Sequence, residues 1–393
     1  MIYMDNAATS YPKPACVYRD ILDFMRNNCA NPGRGGHVMA AQSAMAVFEV
    51  RESLCRFFNF DNPLQVCFTK NATEALNIAI KGCLKEGDHV ITSCMEHNSV
   101  MRPLRTLERD NGIEVTTVRG DSYGKVDAGE FKASIRKNTR LMVCTLSSNV
   151  NGIVMPVNDI GKIAAENGIL FLVDASQGAG GISVDVGKMR ADMLAFPGHK
   201  GLLGPQGTGG LWVREGIVLK PQYQGGTGSN SEYPYQPEFM PDLLESGTLN
   251  APGIVGMGSG VGFLENFGLE NIKFYKGCLL GKLHDGLSEI KRVRLYSKCN
   301  PDENSGIAAF NIDGLDSAEV STALDKYYGI ATRPGLHCAP SAHETLGTVS
   351  TGIVRLSPGC FNTFEEIDTV LQAVLQIASG HRPDGRRTKS RGR

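Results

Sequence analysis

Residues 169–201, ILFLVDASQGAGGISVDVGKMRADMLAFPGHKG, hold two short strand-like runs, ILFLV (169–173) and DMLAF (192–196), each ending at polar or turn-forming residues. Short apolar runs bounded in this way read as strands buried on both faces. The first ends at Asp174, in VDASQGAG; the second ends at the turn Pro197-Gly198 and leads into His199-Lys200. A lysine at the end of a buried strand, with flexible glycine-bearing backbone on both sides, suits an enzyme that forms an imine with an aldehyde cofactor. An ordinary loop lysine is simply solvated. The company Lys200 keeps decides between the two readings.

The same pattern extends upstream. VCFT (66–69), HVITS (89–93), EVTTV (114–118) and LMVCTL (141–146) alternate with helical segments at 73–83, 98–110 and 157–167. Strands alternating with helices predict βαβ units, an α/β fold with a mostly parallel sheet flanked by helices. Residues 1–14 read as an extended arm, and helices are expected from Ala15 to Asn28 and Met39 to Phe58. A turn-rich section from Gly225 to Pro252 reads as a long functional loop and hinge. The expected division is an arm (1–14), a large domain (15–252), a smaller α+β C-terminal domain (253–379) that goes with the arm, and a structureless basic tail (380–393).

At 393 residues the chain is long enough for two domains and a large buried core. With 41% hydrophobic and 21% charged residues and a net charge of -1, nothing points to a nucleic-acid or membrane partner. The eleven cysteines are odd in number and contain no C-x-x-C pair, so neither a disulfide framework nor a metal site is indicated. MIYMDNAATS lacks a basic region followed by an apolar one, and no window approaches the roughly eighteen apolar residues of a membrane span. The expected location is the cytoplasm.

In a parallel sheet ligands bind beyond the carboxyl ends of the strands. Asp174, closing an apolar strand, is costly unless it meets a cation, and a protonated pyridine nitrogen is such a partner. Gln177 follows on the next turn, placed for a phenolic oxygen on the same ring. After VCFT, Asn71, Ala72 and Thr73 open a helix whose free N–H groups and hydroxyl suit a phosphate, although an ordinary N-cap with Glu74 reads equally well. His97, after HVITS, either stacks over a planar ring or is a plain loop histidine. Asn149, in SSNVNG, offers an amide to a carboxylate or ring oxygen. Five strand exits thus carry groups suited to one phosphorylated aromatic aldehyde.

The second domain adds Arg355 in TGIVRLS and Arg333 in ATRPGLHCAPSAH, both candidates for a carboxylate. Cys338, beside His337 in a loop with Pro334, Gly335 and Pro340, reads as an exposed nucleophile. Most of the other ten cysteines read as small core hydrophobes.

YMDNAATS, FTKNATEALN, EHNS, SSNVNG, VDASQ, GHKG, ESGTLN, RPGLHCAP and VRLSPGCFNT, in this order from about residue 3 to 363, resemble the class V aminotransferase family of pyridoxal-phosphate (PLP) enzymes, in its cysteine desulfurase and selenocysteine lyase branch. The resemblance implies a PLP-dependent transferase of fold type I acting as a homodimer with shared active sites. It implies that Lys200 binds the cofactor aldehyde, His97 stacks on the ring, Asp174 meets the ring nitrogen and Gln177 the ring hydroxyl. Asn71, Ala72, Thr73 and His199 would hold the phosphate, with Thr248 arriving from the partner subunit. Asn149, Arg333 and Arg355 would hold the carboxylate of L-cysteine or L-selenocysteine, and Cys338 would receive sulfur as a persulfide, for passage to a possible acceptor protein. Two departures stand out: Pro197 where many relatives have a phosphate-binding serine, and APSAHETLGT with its extra His343. The alternatives are selenocysteine lyase, another class V PLP lyase or aminotransferase, and a non-catalytic α/β protein cradling a phosphate ligand in GPQGTGG.

Overall fold

The computed structural model describes residues 1–33 and 35–380. The chain opens with β1 (Ile2–Tyr3), α1 (Ala15–Asn27) and α2 (Val38–Phe58). It then alternates through β2 (Val66–Thr69), α3 (Ala72–Cys83), β3 (His89–Ser93), α4 (Asn98–Asn111), β4 (Glu114–Val118), α5 (Ala128–Ala133), β5 (Thr139–Thr145), α6 (Val157–Glu166), β6 (Leu170–Asp174), α7 (Val186–Met189), β7 (Met193–Pro197) and β8 (Gly209–Val213). The remainder is α8 (Ala251–Phe267), α9 (Leu269–Glu289), β9 (Val293–Leu295), β10 (Ala308–Ile312), α10 (Ser317–Tyr328), β11 (Ile330–Ala331), α11 (Pro340–Leu346), β12 (Val354–Leu356) and α12 (Phe364–Ala378).

Seven strands form one sheet in the order β2-β8-β7-β6-β5-β3-β4. All run the same way except β8, which is antiparallel to both neighbours. Side chains alternate across a strand, and here both faces are apolar. Phe68, Ile91, Met142 and Phe171 pack with α2, α6 and α8; Cys67, Val90, Leu141 and Leu172 pack with α3 and α4. Two helical layers thus cover the sheet, and the parallel strands all deliver their carboxyl ends to one rim.

Within this sheet, strand β8 is the element the sequence did not suggest. Its glycines are positions of close packing: a Cβ on Gly210 would lie 2.4 Å from the Phe196 ring, and one on Gly209 would lie 2.8 Å from the Phe196 carbonyl oxygen. The glycine-rich run is therefore a buried strand and its approach, not a phosphate-cradling loop. Gly201, beside Lys200, tells the same story, since a Cβ there would meet the Ala179 carbonyl oxygen at 2.0 Å. Close backbone contact, rather than flexibility, explains that glycine.

The smaller lobe has its own core. Leu279, Leu283 and Leu287 of α9 pack with Phe310, Leu324, Val354 and Val370, and Met4 from the N-terminal arm joins them. The arm is stitched in by β1, which pairs in parallel with β11, next to the antiparallel sheet β12-β10-β9. Ile254, Met257 and Val261 of α8 belong to the large core, so a division at 252/253 parts this helix from the domain it packs on. The section before α8, from residue 220, holds neither helix nor strand. The expected basic tail lies outside the described residues beyond Gly380.

Candidate active site

A cavity opens at the carboxyl rim of the sheet, lined by Asn71, Ala72, Thr73, His97, Asn149, Asp174, Gln177, His199 and Lys200 together with Ser99, Thr145, Ser147, Ser176 and Pro197. Nine residues expected from the sequence thus meet in one space. Ser99, Thr145, Ser147 and Ser176 were not among them, because a serine or threonine near a strand end gives no signal distinct from a cap.

The two readings of the 71–73 segment turn out to be compatible. The Asn71 side chain caps α3 by accepting from the Glu74 N–H at 2.9 Å, while Ala72 and Thr73 occupy the first turn, where N–H groups have no intrahelical acceptor. The Thr73 hydroxyl is 2.7 Å from that of Ser99, which in turn is 2.9 Å from Nδ1 of His97. The Ser99 N–H donates to the same Nδ1 at 3.1 Å, so this nitrogen is an acceptor and the ring proton sits on Nε2. Burial, partly opposed by the Asp174 carboxylate, lowers the His97 pKa well below its ordinary value. A neutral, flat imidazole is the result.

Asp174 ends β6 at 1% exposure, and its Oδ1 accepts from the Ser176 N–H at 2.9 Å. Gln177 gives its Nε2 hydrogen to the Ala7 carbonyl at 2.8 Å. Its Oε1 is the atom left to receive a hydroxyl. Lys200 follows β7, and the arm clamps its backbone: Ser10 Oγ donates to the Lys200 carbonyl at 2.8 Å, while Thr9 Oγ1 and Lys13 Nζ donate to the His199 carbonyl at 3.0 and 2.8 Å. Burial lowers the Lys200 pKa to about 8, against the pull of Asp174. About half of the amine is then neutral at pH 8, compared with under roughly 1% for an ordinary lysine. His199 is likewise lowered to about 4 by burial, and its Nδ1 is a buried atom without a partner.

Glu96, next to His97 in the chain, is fully buried. Its Oε1 accepts from Ser93 Oγ at 2.5 Å and from the Thr145 N–H at 2.9 Å, while Oε2 has no partner. Burial raises its pKa to about 8. Sequence reading passed over it, because a glutamate before a loop histidine is ordinarily solvated.

The remaining expected residues of this chain, Arg333, Cys338 and Arg355, are not among those that line the cavity. Arg355 is fully buried, not half-buried as a strand arginine suggests. It donates from Nη2 to Asp5 Oδ1 and from Nη1 to the Asn149 carbonyl, both at 2.7 Å, leaving Nε without a partner. The Asn149 amide donates to the His337 carbonyl at 2.6 Å. Arg333, half-buried, points Nη2 at the Cys338 sulfur, 3.9 Å away. Cys338 is exposed, and the Asn98 N–H, at the start of α4, donates to its carbonyl at 2.7 Å. His337 and Cys338 both have left-handed backbone angles, φ 51° and 57°. Each costs on the order of 1–3 kcal/mol. His337 is buried, donates from Nε2 to the Arg333 carbonyl and stacks on His343 at 5.7 Å, so the extra histidine of this loop is a packing partner. Thr248 is exposed, 3.5 Å from Asn31 Nδ2, and does not line the Lys200 cavity of its own chain. Of the other ten cysteines, five (Cys55, Cys67, Cys83, Cys94 and Cys144) are buried, and Cys29 is exposed.

Residues 2–370 match the aminotransferase class-V family, and the chain belongs to it. Within that family, the chain is 36% identical to a probable cysteine desulfurase of Methanothermobacter thermautotrophicus, covering 96% of this chain and 94% of the relative. A probable cysteine desulfurase of Pyrococcus abyssi is 32% identical, over 97% and 95% of the two chains. Among solved structures, the apo cysteine desulfurase of Thermococcus onnurineus superposes with a TM-score of 0.90 at 32% identity, covering 96% of this chain and 95% of the other. The Escherichia coli cysteine desulfurase CsdA superposes with a TM-score of 0.86 at 26% identity, over 96% and 94%. The sheet flanked by helices is thus the type I fold of PLP enzymes.

Proposed function

We propose that the chain is a cysteine desulfurase that uses pyridoxal 5'-phosphate, converting L-cysteine to L-alanine and leaving the sulfur on Cys338. The observation that carries the reading is the convergence of Asp174, His97, Lys200 and the α3 N-terminus on one cavity. The residues fit the cofactor. A buried carboxylate at a strand end needs a cation, the unpartnered Nδ1 of His199 and the first turn of α3 suit a phosphate, and a lysine whose pKa burial lowers to about 8 suits an aldehyde. When bound, the cofactor supplies an electron sink that acidifies the substrate Cα proton.

The protein's own groups do the rest. Arg355 and Arg333, with Asn149, hold the substrate carboxylate; Arg355 Nε has no internal partner to give up. Lys200, as a free amine, takes the Cα proton and returns it further along the reaction. Cys338, as a thiolate, attacks the γ-sulfur: an S–S bond forms, the substrate Cβ–S bond breaks, and the electron pair left on Cβ is protonated to give the methyl group of alanine. The exposed position of Cys338 suits delivery of the sulfane sulfur to an acceptor protein. Thr248 completes the phosphate site of a second subunit, which explains its distance from the cavity of its own chain. The relatives named above are named cysteine desulfurases or probable cysteine desulfurases, which favours L-cysteine over L-selenocysteine.

The test is to incubate the reconstituted protein with L-cysteine and a reductant and to measure alanine and sulfide. Equal yields are expected; pyruvate and ammonia in their place would overturn the reading.

A further inference from the structure

His284 and Asp285, neighbours on α9, face Cys299 in the segment after β9, and one ligand atom from each lies within 4.8 Å of the others. We infer that these three side chains form a Zn(II) site in the small lobe, separate from the Lys200 cavity. Nitrogen, oxygen and sulfur donors are the set zinc favours. Tetrahedral bonds of about 2.0–2.3 Å put ligand atoms roughly 3.3–3.7 Å apart, so small rotamer adjustments close the triangle, with water as the fourth ligand.

A second, independent observation supports the assignment. His284 Nε2 lies 3.1 Å from the Ser297 carbonyl oxygen. A carbonyl can only accept, so the ring donates from Nε2, and Nδ1 is the nitrogen left for a metal. A ligating histidine is usually oriented in this way, its other N–H given to a backbone carbonyl. The Asp285 carboxylate has no hydrogen bond or ion pair among the described residues, and its charge is left for a cation. Binding converts the Cys299 thiol to a thiolate and releases one proton; carboxylate and thiolate together then neutralise the divalent charge.

The site braces a connection that matters. Cys299 sits between Ser297, whose hydroxyl accepts from the Ala309 N–H, and Asn304, whose amide donates to the Lys298 and Asn151 carbonyls. Asn151 belongs to the loop that carries Asn149. A metal at Cys299 ties α9 to this segment and so to the wall of the substrate approach.

Cobalt(II) is the probe, because thiolate ligation gives it a sulfur-to-metal charge-transfer band. The holoprotein with Cys29→Ala and Cys338→Ala, which remove the two exposed thiols, is loaded with cobalt(II), desalted, and assayed for metal content, near-ultraviolet absorbance and thermal midpoint. About one equivalent should be retained, with the charge-transfer band and a raised midpoint. Adding Cys299→Ser or His284→Ala should weaken retention by more than about tenfold and abolish the midpoint shift. Cys278→Ser, on the same helix, should change neither. No retention before these changes, or retention that survives both ligand substitutions, overturns the assignment. The readout is metal content, so the result is independent of the chemistry at Lys200.

Discussion

Lys200 emerges from a strand whose five residues are all buried, whereas Cys338 stands exposed on a loop where it and His337 both take left-handed backbone angles. The first region gets its precision from packing: helices on both sheet faces fix the strand, and the arm pins the carbonyls of His199 and Lys200. The second gets its precision from a few directed bonds, namely Asn149 to His337, Asn98 to Cys338 and His337 to Arg333. Proton transfer calls for a dry, fixed amine with a lowered pKa. In the proposed reaction Cys338 must reach substrate on one side and an acceptor on the other, and a strained, tethered loop suits both needs.

The comparison is broken first at its buried pole. Lys200→Ala is expected to lower alanine formation by at least about 10³-fold and to abolish borohydride trapping of the cofactor on the protein. Cys338→Ala tests the exposed pole: alanine formation from L-cysteine should fall by at least about 100-fold, roughly 2.7 kcal/mol, with visible absorbance unchanged. Full activity in that variant would mean that the loop carries no nucleophile. Arg355→Lys bears on the junction between the two regions. A lysine cannot reproduce the fork that reaches Asp5, Asn149 and a substrate together, so KM should rise about 10- to 100-fold with a smaller change in kcat, as steady-state kinetics would show.

Glu96 sharpens the contrast through pH. Its folded pKa of about 8 lies above the ordinary 4.5, so between these values the folded state holds more protons than the unfolded one. Stability therefore falls as pH rises through that window. Glu96→Gln keeps the acceptor for Ser93 and Thr145 but cannot ionise. In denaturant titrations it should gain on the parent protein by up to about 1.4 kcal/mol per pH unit across the window. The smallest effect is expected from Pro197→Ser, which restores a hydroxyl at the cavity wall; cofactor retention measured by dialysis should improve about threefold.

Much of the buried pole was legible in the sequence, because strands and helices alternate there and each strand exit carries its polar residue. The α3 cap and Asp174 stand at the strand exits where periodicity and exit chemistry put them. What stayed hidden depends on contacts between distant segments. Asp5 pairs with Arg355 across 350 residues, and Glu96 differs from a solvated glutamate only through what covers it. β8 was masked because its glycines serve packing against Phe196, while glycines in sequence read as loop. His343 looked like a departure in chemistry, and only its stacking on His337 marks it as support.

The pairing of β1 with β11, with Met4 set into the small-lobe core, has a mechanical consequence. The polypeptide passes from the small-lobe core to the large one after the arm and back between α8 and α9, and Ala339, Ala342 and Leu346 around α11 pack into the large core again, so the two cores are laced together at several points. Trimming even the first handful of residues would remove one of these laces, the β1–β11 pairing and the Met4 side chain with it, and would leave a gap in the small-lobe core.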